Sequence, residues 1–189
     1  MRELSILTFV TVDGVAQAPG QQDEDLSGGF EHGGWAAECW NEVMDQVRRE
    51  AMATPYDLLL GRKTYDLFAN SFSSDSQNPM NAATKHVVTS SPATLHWTNS
   101  RAITGDIAAE VSNLKKQDGP LLQVHGSAQL IQTLLAHGLV DLFRLWTFPV
   151  LVGSGKRLFE GSAAPTGLTL IKSEPTSNGA VMSLYRRRD

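Results

Sequence analysis

The stretch "YDLLLGRKTYDLFAN", residues 56–70, decides how the rest of the chain is read. Leu58, Leu59 and Leu60 make a short apolar run of strand length, closed by Gly61. A run apolar on both faces suits a strand buried inside a parallel sheet. Arg62, Lys63 and Thr64 follow at once, and "RKTYDLFA" then reads as a short helix. Two cations and a hydroxyl therefore stand where a buried strand becomes a helix. Such a junction offers free backbone N–H groups and positive potential to an anion, and a glycine lets the ligand approach the backbone.

The pattern repeats outward from this point. "LSILTFV" (4–10) is a β-branched apolar strand, followed by the turn "VDGV" and a long polar loop over 16–34. Residues 35–53 predict a helix, with Trp40, Val43, Met44 and Val47 on one face. "KHVVTSS" (85–91) is a strand ending in hydroxyls, and 101–104 a short strand. Asp106 caps a helix running to Lys116. "PLLQVHGS" is a strand entering a turn, and "AQLIQTLLAHG" a helix stopped by Gly138. A strand over 140–153 must bend or end at Pro149. "GLTLIKSE" and "AVMSLYRR" close the chain as a hairpin across "SNG". Strands alternating with helices and then ending the chain predict an α/β fold with a mostly parallel sheet and an antiparallel C-terminal edge.

The 189 residues suffice for one domain, and no linker or internal repeat divides them. A net charge of −4 argues against nucleic acid as the main partner. The run "RRRD" at the end is too short to change that. The sole cysteine, Cys39, excludes an intrachain disulfide and fits a reducing compartment. No signal-peptide form and no stretch of membrane-spanning length is present, so a soluble cytoplasmic protein is expected. The five histidines and the cysteine lack metal-ligand spacing. "GSGKR" (153–157) fails as a phosphate loop, because position 150 is valine and position 157 arginine.

In an open α/β sheet ligands bind beyond the carboxyl ends of the strands. Three such ends carry phosphate-compatible residues: Gly61–Thr64, His125–Ser127 and Thr89–Ser91. Three along one sheet edge suit a long, multiply phosphorylated ligand. The third ends in hydroxyls where an NAD site would place an acid, which favours NADP over NAD. Hydride transfer would then need one proton source. Asp13, just past the first strand, is the candidate acid, with a turn aspartate as its alternative. Trp35 is a candidate wall of the substrate site, with core packing as the alternative. Glu38 and Glu42 are a further possible acid source, or a solvated face.

The motifs "TVDGV", "GGW", "LLLGRKTYDLF", "VVTSS", "VHGSAQLIQTLL" and "FPVLVGSGKRLF" span nearly the whole chain in order. Together they resemble the dihydrofolate-reductase-like family that includes the reductase (C-terminal) domain of the bifunctional riboflavin-biosynthesis deaminase-reductase. The resemblance implies a three-layer α-β-α fold with a mixed sheet. It also implies an NADPH-dependent reductase, and a homodimer. Cofactor contacts would fall to Gly61, Arg62, Lys63, Thr64, Thr89, Ser90, Ser91, Gly126, Ser127, Ala128 and Gln129. The expected substrate is a small heterocycle, either the phosphoribosylamino-pyrimidine of the riboflavin pathway or a pterin. The alternative is a non-catalytic dinucleotide-binding module. The family often has two adjacent glycines in the later turn, able to support a cis peptide; here the first position is His125.

Overall fold

The computed structural model describes residues 1–161 and 165–188. Eight strands form one sheet. They are β1 (Leu4–Thr11), β2 (Tyr56–Gly61), β3 (Lys85–Val88), β4 (Ser100–Ile103), β5 (Leu121–Val124), β6 (Leu142–Phe148), β7 (Leu168–Pro175) and β8 (Val181–Arg187). The helices are α1 (Trp40–Glu50), α2 (Arg62–Phe72), α3 (Ile107–Lys116) and α4 (Ala128–Ala136). Strand order is β4-β3-β2-β5-β1-β6-β8-β7. Neighbours from β4 through to β6 pair in parallel, while β8 runs antiparallel to both β6 and β7.

Alternation along the strands separates two apolar layers, because successive side chains point to opposite faces. Leu4, Ile6 and Val10 of β1, Leu122 and Val124 of β5 and Phe143 of β6 pack with Val111 and Leu114 of α3 and with Leu130, Ile131, Leu134 and Leu135 of α4. On the opposite face Leu7, Trp146 and Phe148 meet Val43 and Val47 of α1. Leu58 and Leu60 meet Tyr65 and Ala69 of α2. The result is the expected three-layer α-β-α arrangement with an antiparallel C-terminal edge.

The expected helix over 35–53 is shorter, since a 3-10 turn at Ala37–Cys39 precedes α1. The strand expected over 140–153 stops at Phe148, where Pro149 has no N–H to give to a ladder. Asp106 caps α3 as its position predicts, accepting from the Ala109 N–H at 3.1 Å. Among the described residues no helix is long and apolar enough to cross a membrane, and no group of three or more His, Cys, Asp or Glu could hold a metal ion.

Candidate active site

The carboxyl ends of β2 and β5 come together through glycine. The Gly61 N–H donates to the Gly126 carbonyl at 3.0 Å. A Cβ on Gly61 would lie 2.2 Å from Ser127 Oγ. No side chain fits between these strand ends, so α2 and α4 begin side by side. Their N-caps, Gly61 and Ser127, make no side-chain cap bond, unlike Asp106 on α3. Two adjacent helix starts thus keep unsatisfied N–H groups, the arrangement that receives an anion.

These helix starts open on a cleft of about 860 Å³. Gly61, Arg62 and Lys63 line it with Thr89 and Ser90, and Ser127, Ala128 and Gln129 line it from α4. The other three expected cofactor residues stand just outside this lining. Thr64 faces a second cavity. The Ser91 carbonyl accepts from Arg62 Nη1 at 3.3 Å. Gly126 supplies the strand-end contact. The cis peptide of this turn lies at Gly126–Ser127, one bond after the position expected, so His125 is not the residue preceding it.

Arg62 spans the cleft edge. Its Nε faces both Asp66 carboxylate oxygens at 2.9 Å, and its Nη1 donates to Thr94 Oγ1 at 2.6 Å. Lys63 is exposed and makes no ion pair among the described residues. On the far side Lys156 Nζ meets Asp25 Oδ2 at 2.5 Å. Burial works against the Asp25 charge, but Lys156 and Ser27 hold its pKa lowered overall. Lys156 therefore belongs to a strap across the cleft, which gives the rejected "GSGKR" segment a different use. Gln132 lines the same cleft, and its Oε1 is buried without a partner while its amide N donates to the Leu158 carbonyl at 2.8 Å. A buried acceptor left unpaired costs about 1–3 kcal/mol, which a ligand donor would relieve.

The second cavity, about 270 Å³, is lined by His125 and by Thr64, the residue after Lys63 of the cleft. Its walls are apolar: Phe9, Trp40, Met44, Met52, Phe68 and Phe72 among others. Phe9 and Trp40 meet at a tilt, with ring centroids 5.4 Å apart. Glu24 is the one carboxylate lining it among the described residues. Desolvation raises the Glu24 pKa, against the N–H groups of Gly20 and Gln21, which lower it. Glu24 Oε2 accepts from the Gly20 N–H at 2.8 Å. Glu24 and Asp25 are neighbours on one loop, yet each serves a different cavity.

Neither of the two expected catalytic residues lines a cavity. Asp13 lines neither cavity. Its carboxylate accepts from Thr11 Oγ1 at 2.6 Å and from the Gly153 N–H at 2.8 Å. Those bonds hold its pKa down at about 2, so it stays charged and has no proton to give near neutrality. Trp35 donates from Nε1 to the Gln17 carbonyl at 2.7 Å and packs edge-on against Phe148. Its position is that of a core residue tying down the loop. Glu42 accepts from the Ser177 N–H and hydroxyl and lines neither cavity. Sequence reasoning passed over Glu24 and took His125 as part of a phosphate-compatible strand end and as a departure in a turn, not as a lining residue of the apolar pocket. A loop without periodicity gives no sign of which side chain turns inward.

The chain matches the model of the RibD C-terminal domain over residues 2–182. It belongs to that family. The uncharacterized protein YyaP of Bacillus subtilis (strain 168) is 39% identical over 83 residues, a stretch covering 44% of this chain and 44% of that protein. Among solved structures, a putative riboflavin biosynthesis protein from Shewanella sp. PV-4 matches with a TM-score of 0.64 at 19% identity, over the whole of both chains. A pyrimidine reductase-like protein from Corynebacterium diphtheriae matches at 0.65 and 14%, over 100% of this chain and 93% of its own. Dihydrofolate reductase from Enterococcus faecalis, complexed with NADP(H) and RAB-propyl, matches at 0.63 and 15%, over 99% of this chain and 97% of its own. These likenesses establish the dihydrofolate-reductase-like fold.

Proposed function

We propose that the chain is an NADPH-dependent reductase of a small heterocyclic compound. One observation carries this reading most: two uncapped helix starts, drawn together at Gly61 and Gly126, open on a dinucleotide-sized cleft beside an apolar pocket holding a single carboxyl group. The family membership and the NADP(H) complex of a structural neighbour support it.

The cleft's residues fit a phosphorylated dinucleotide. The N–H groups at the starts of α2 and α4 would take the pyrophosphate. Arg62 and Lys63, with Thr89 and Ser90, would take a ribose phosphate. The orphan Oε1 of Gln132 would accept from a ribose hydroxyl or an amide of the ligand. NADPH when bound supplies the hydride. The chain's own residues do the rest. Phe9, Trp40, Met44 and Phe68 line an apolar pocket that excludes water from the acceptor. Glu24 holds a proton more readily than an exposed carboxyl group and delivers it to the reduced ring. Glu24 therefore takes the role first expected of Asp13. A homodimer and a cytoplasmic location are part of the same proposal.

Titration of the protein with NADPH and NADH, followed through tryptophan fluorescence, tests the reading. Tight NADPH binding with weak NADH binding is the expected result. Failure of both to bind would overturn it and favour another use of the fold.

A further inference from the structure

His125 lines the second cavity, and a chain of hydrogen bonds fixes which of its ring nitrogens carries the proton. The chain begins at the Ala51 carbonyl, at the C-terminal end of α1. A carbonyl can only accept, so the Gln123 side chain must turn its amide nitrogen there, and Gln123 Nε2 donates to Ala51 O. Gln123 is buried, with 2% of its surface exposed, and its oxygen Oε1 is thereby aimed at His125. His125 Nε2 lies 3.2 Å from that oxygen and must be the protonated nitrogen. The other nitrogen, Nδ1, is left with a lone pair. It has no hydrogen-bond partner among the described residues, and His125 lines the apolar pocket. The ring itself is held edge-on against Phe68, centroids 5.8 Å apart.

The pocket's other titratable group, Glu24, accepts from the Gly20 N–H. No lysine or arginine is among the described residues that line it. We propose that His125 is a specificity-determining residue: its Nδ1, oriented by Gln123 and Ala51, accepts an N–H from an amino-bearing, unphosphorylated aromatic heterocycle in the apolar pocket. Gln123 is then a positioning residue, acting only through the tautomer of His125. Burial also pushes the His125 pKa down to about 4, which keeps the ring neutral at working pH. This inference deepens the reductase reading. It concerns the pocket alone, so it can fail while the cofactor reading stands.

Two measurements test it on the full chain. The first is 15N NMR of histidine-labelled protein, which reports the tautomer without ligand. The expected spectrum shows His125 protonated at Nε2 and bare at Nδ1. In Gln123→Leu the spectrum becomes a mixture of tautomers. A Nδ1-protonated ring in the wild type would overturn the proposal. The second uses 2-aminoquinazoline and its isostere 2-methylquinazoline, followed by quenching of Trp40, with NADPH titrated in parallel. Wild-type protein should prefer the amino compound by about tenfold, the worth of one well-made hydrogen bond. His125→Phe keeps the ring's shape and should bring the preference to within about twofold. A preference that survives His125→Phe would assign recognition to Glu24 and overturn the role of His125. Binding of NADPH with neither quinazoline retained would overturn the proposal and leave the cofactor site intact. Failure of NADPH to bind, with the amino preference present, would do the reverse.

Discussion

Gly126 lies directly against Thr64: a Cβ built on the glycine would sit 2.6 Å from Thr64 Oγ1. Gly126 also has φ of 151°, where side-chain-bearing residues are strained. Both strain sources fall beside Thr64, which lines the second cavity. Gly126→Ala is expected to lower stability by about 1–3 kcal/mol and to weaken NADPH binding. Thr64→Ala in the same chain removes the contact and should restore part of the stability, with the φ strain remaining. Denaturant unfolding of the single and double variants measures this. Full stability in Gly126→Ala would show that the strand ends can part freely.

Arg62 faces Asp66, Thr94 and the Ser91 carbonyl, so it is already held in place before any ligand arrives. A guanidinium fixed in this way loses little freedom when it meets a phosphate. Arg62→Ala should weaken NADPH by about ten- to a hundredfold and NADH far less, as expected for a charged hydrogen bond. Lys63→Ala should act by charge alone, with an effect that shrinks as salt rises. Calorimetric titration of both cofactors checks the ratio. An equal loss for NADPH and NADH would move Arg62 from the 2′-phosphate to the pyrophosphate.

Glu24→Gln should cut turnover by about a hundredfold or more and leave NADPH affinity unchanged within about twofold. In the wild type the protonated form is the active one, so the rate should fall as pH rises through the elevated pKa of Glu24. The same shift has a stability consequence. A carboxyl group whose folded pKa is raised contributes stability below its unfolded pKa and loses it as pH rises through the folded one. Glu24→Gln is therefore expected to melt higher than wild type at pH 7, with the difference closing toward pH 4. Thermal melts across that range decide the point.

Asp13 shows the opposite sign. Its pKa is depressed to about 2, first by Thr11 and then by the Gly153 N–H. Its contribution is present above the ordinary carboxylate range, near 4, and is lost as pH falls toward 2. Asp13→Ala should speed amide hydrogen exchange at Val152 and Gly153 at pH 7 while NADPH binding persists. The difference from wild type should narrow below about pH 4. A collapse of turnover with exchange unchanged would return Asp13 to the role of acid.

The strand and helix order was legible because apolar runs, glycines and caps punctuate it locally. Leu58–Leu60 ending in Gly61 signals a buried strand without reference to anything distant, and so does Asp106 ahead of α3. The insertion of β8 between β6 and β7 has no such local sign, since it depends on which edge the hairpin meets. The same division holds at the site. Arg62, Thr89 and Ser127 follow strands and could be placed by topology alone. Glu24 and Asp25 are adjacent acids in a loop, and nothing in their spacing tells that one turns to Trp40 and the other to Lys156. His125 offered a departure from a glycine pattern, but its tautomer depends on Gln123 and Ala51, the latter far away in sequence.

The sheet order bears on how the chain is made as well as on what it binds. β1 leaves the ribosome well ahead of its two neighbours, β5 and β6. Both are synthesised more than a hundred residues later. At about 5–20 residues per second the first strand spends several seconds with two bare edges. It is also one of the most apolar segments of the protein, with Leu4, Ile6, Leu7 and Val10 all buried at the end. The segment at the heart of the finished sheet is thus the one that most needs shelter during birth, and a nascent chain arrested before residue 121 is the form in which a chaperone should be found on it.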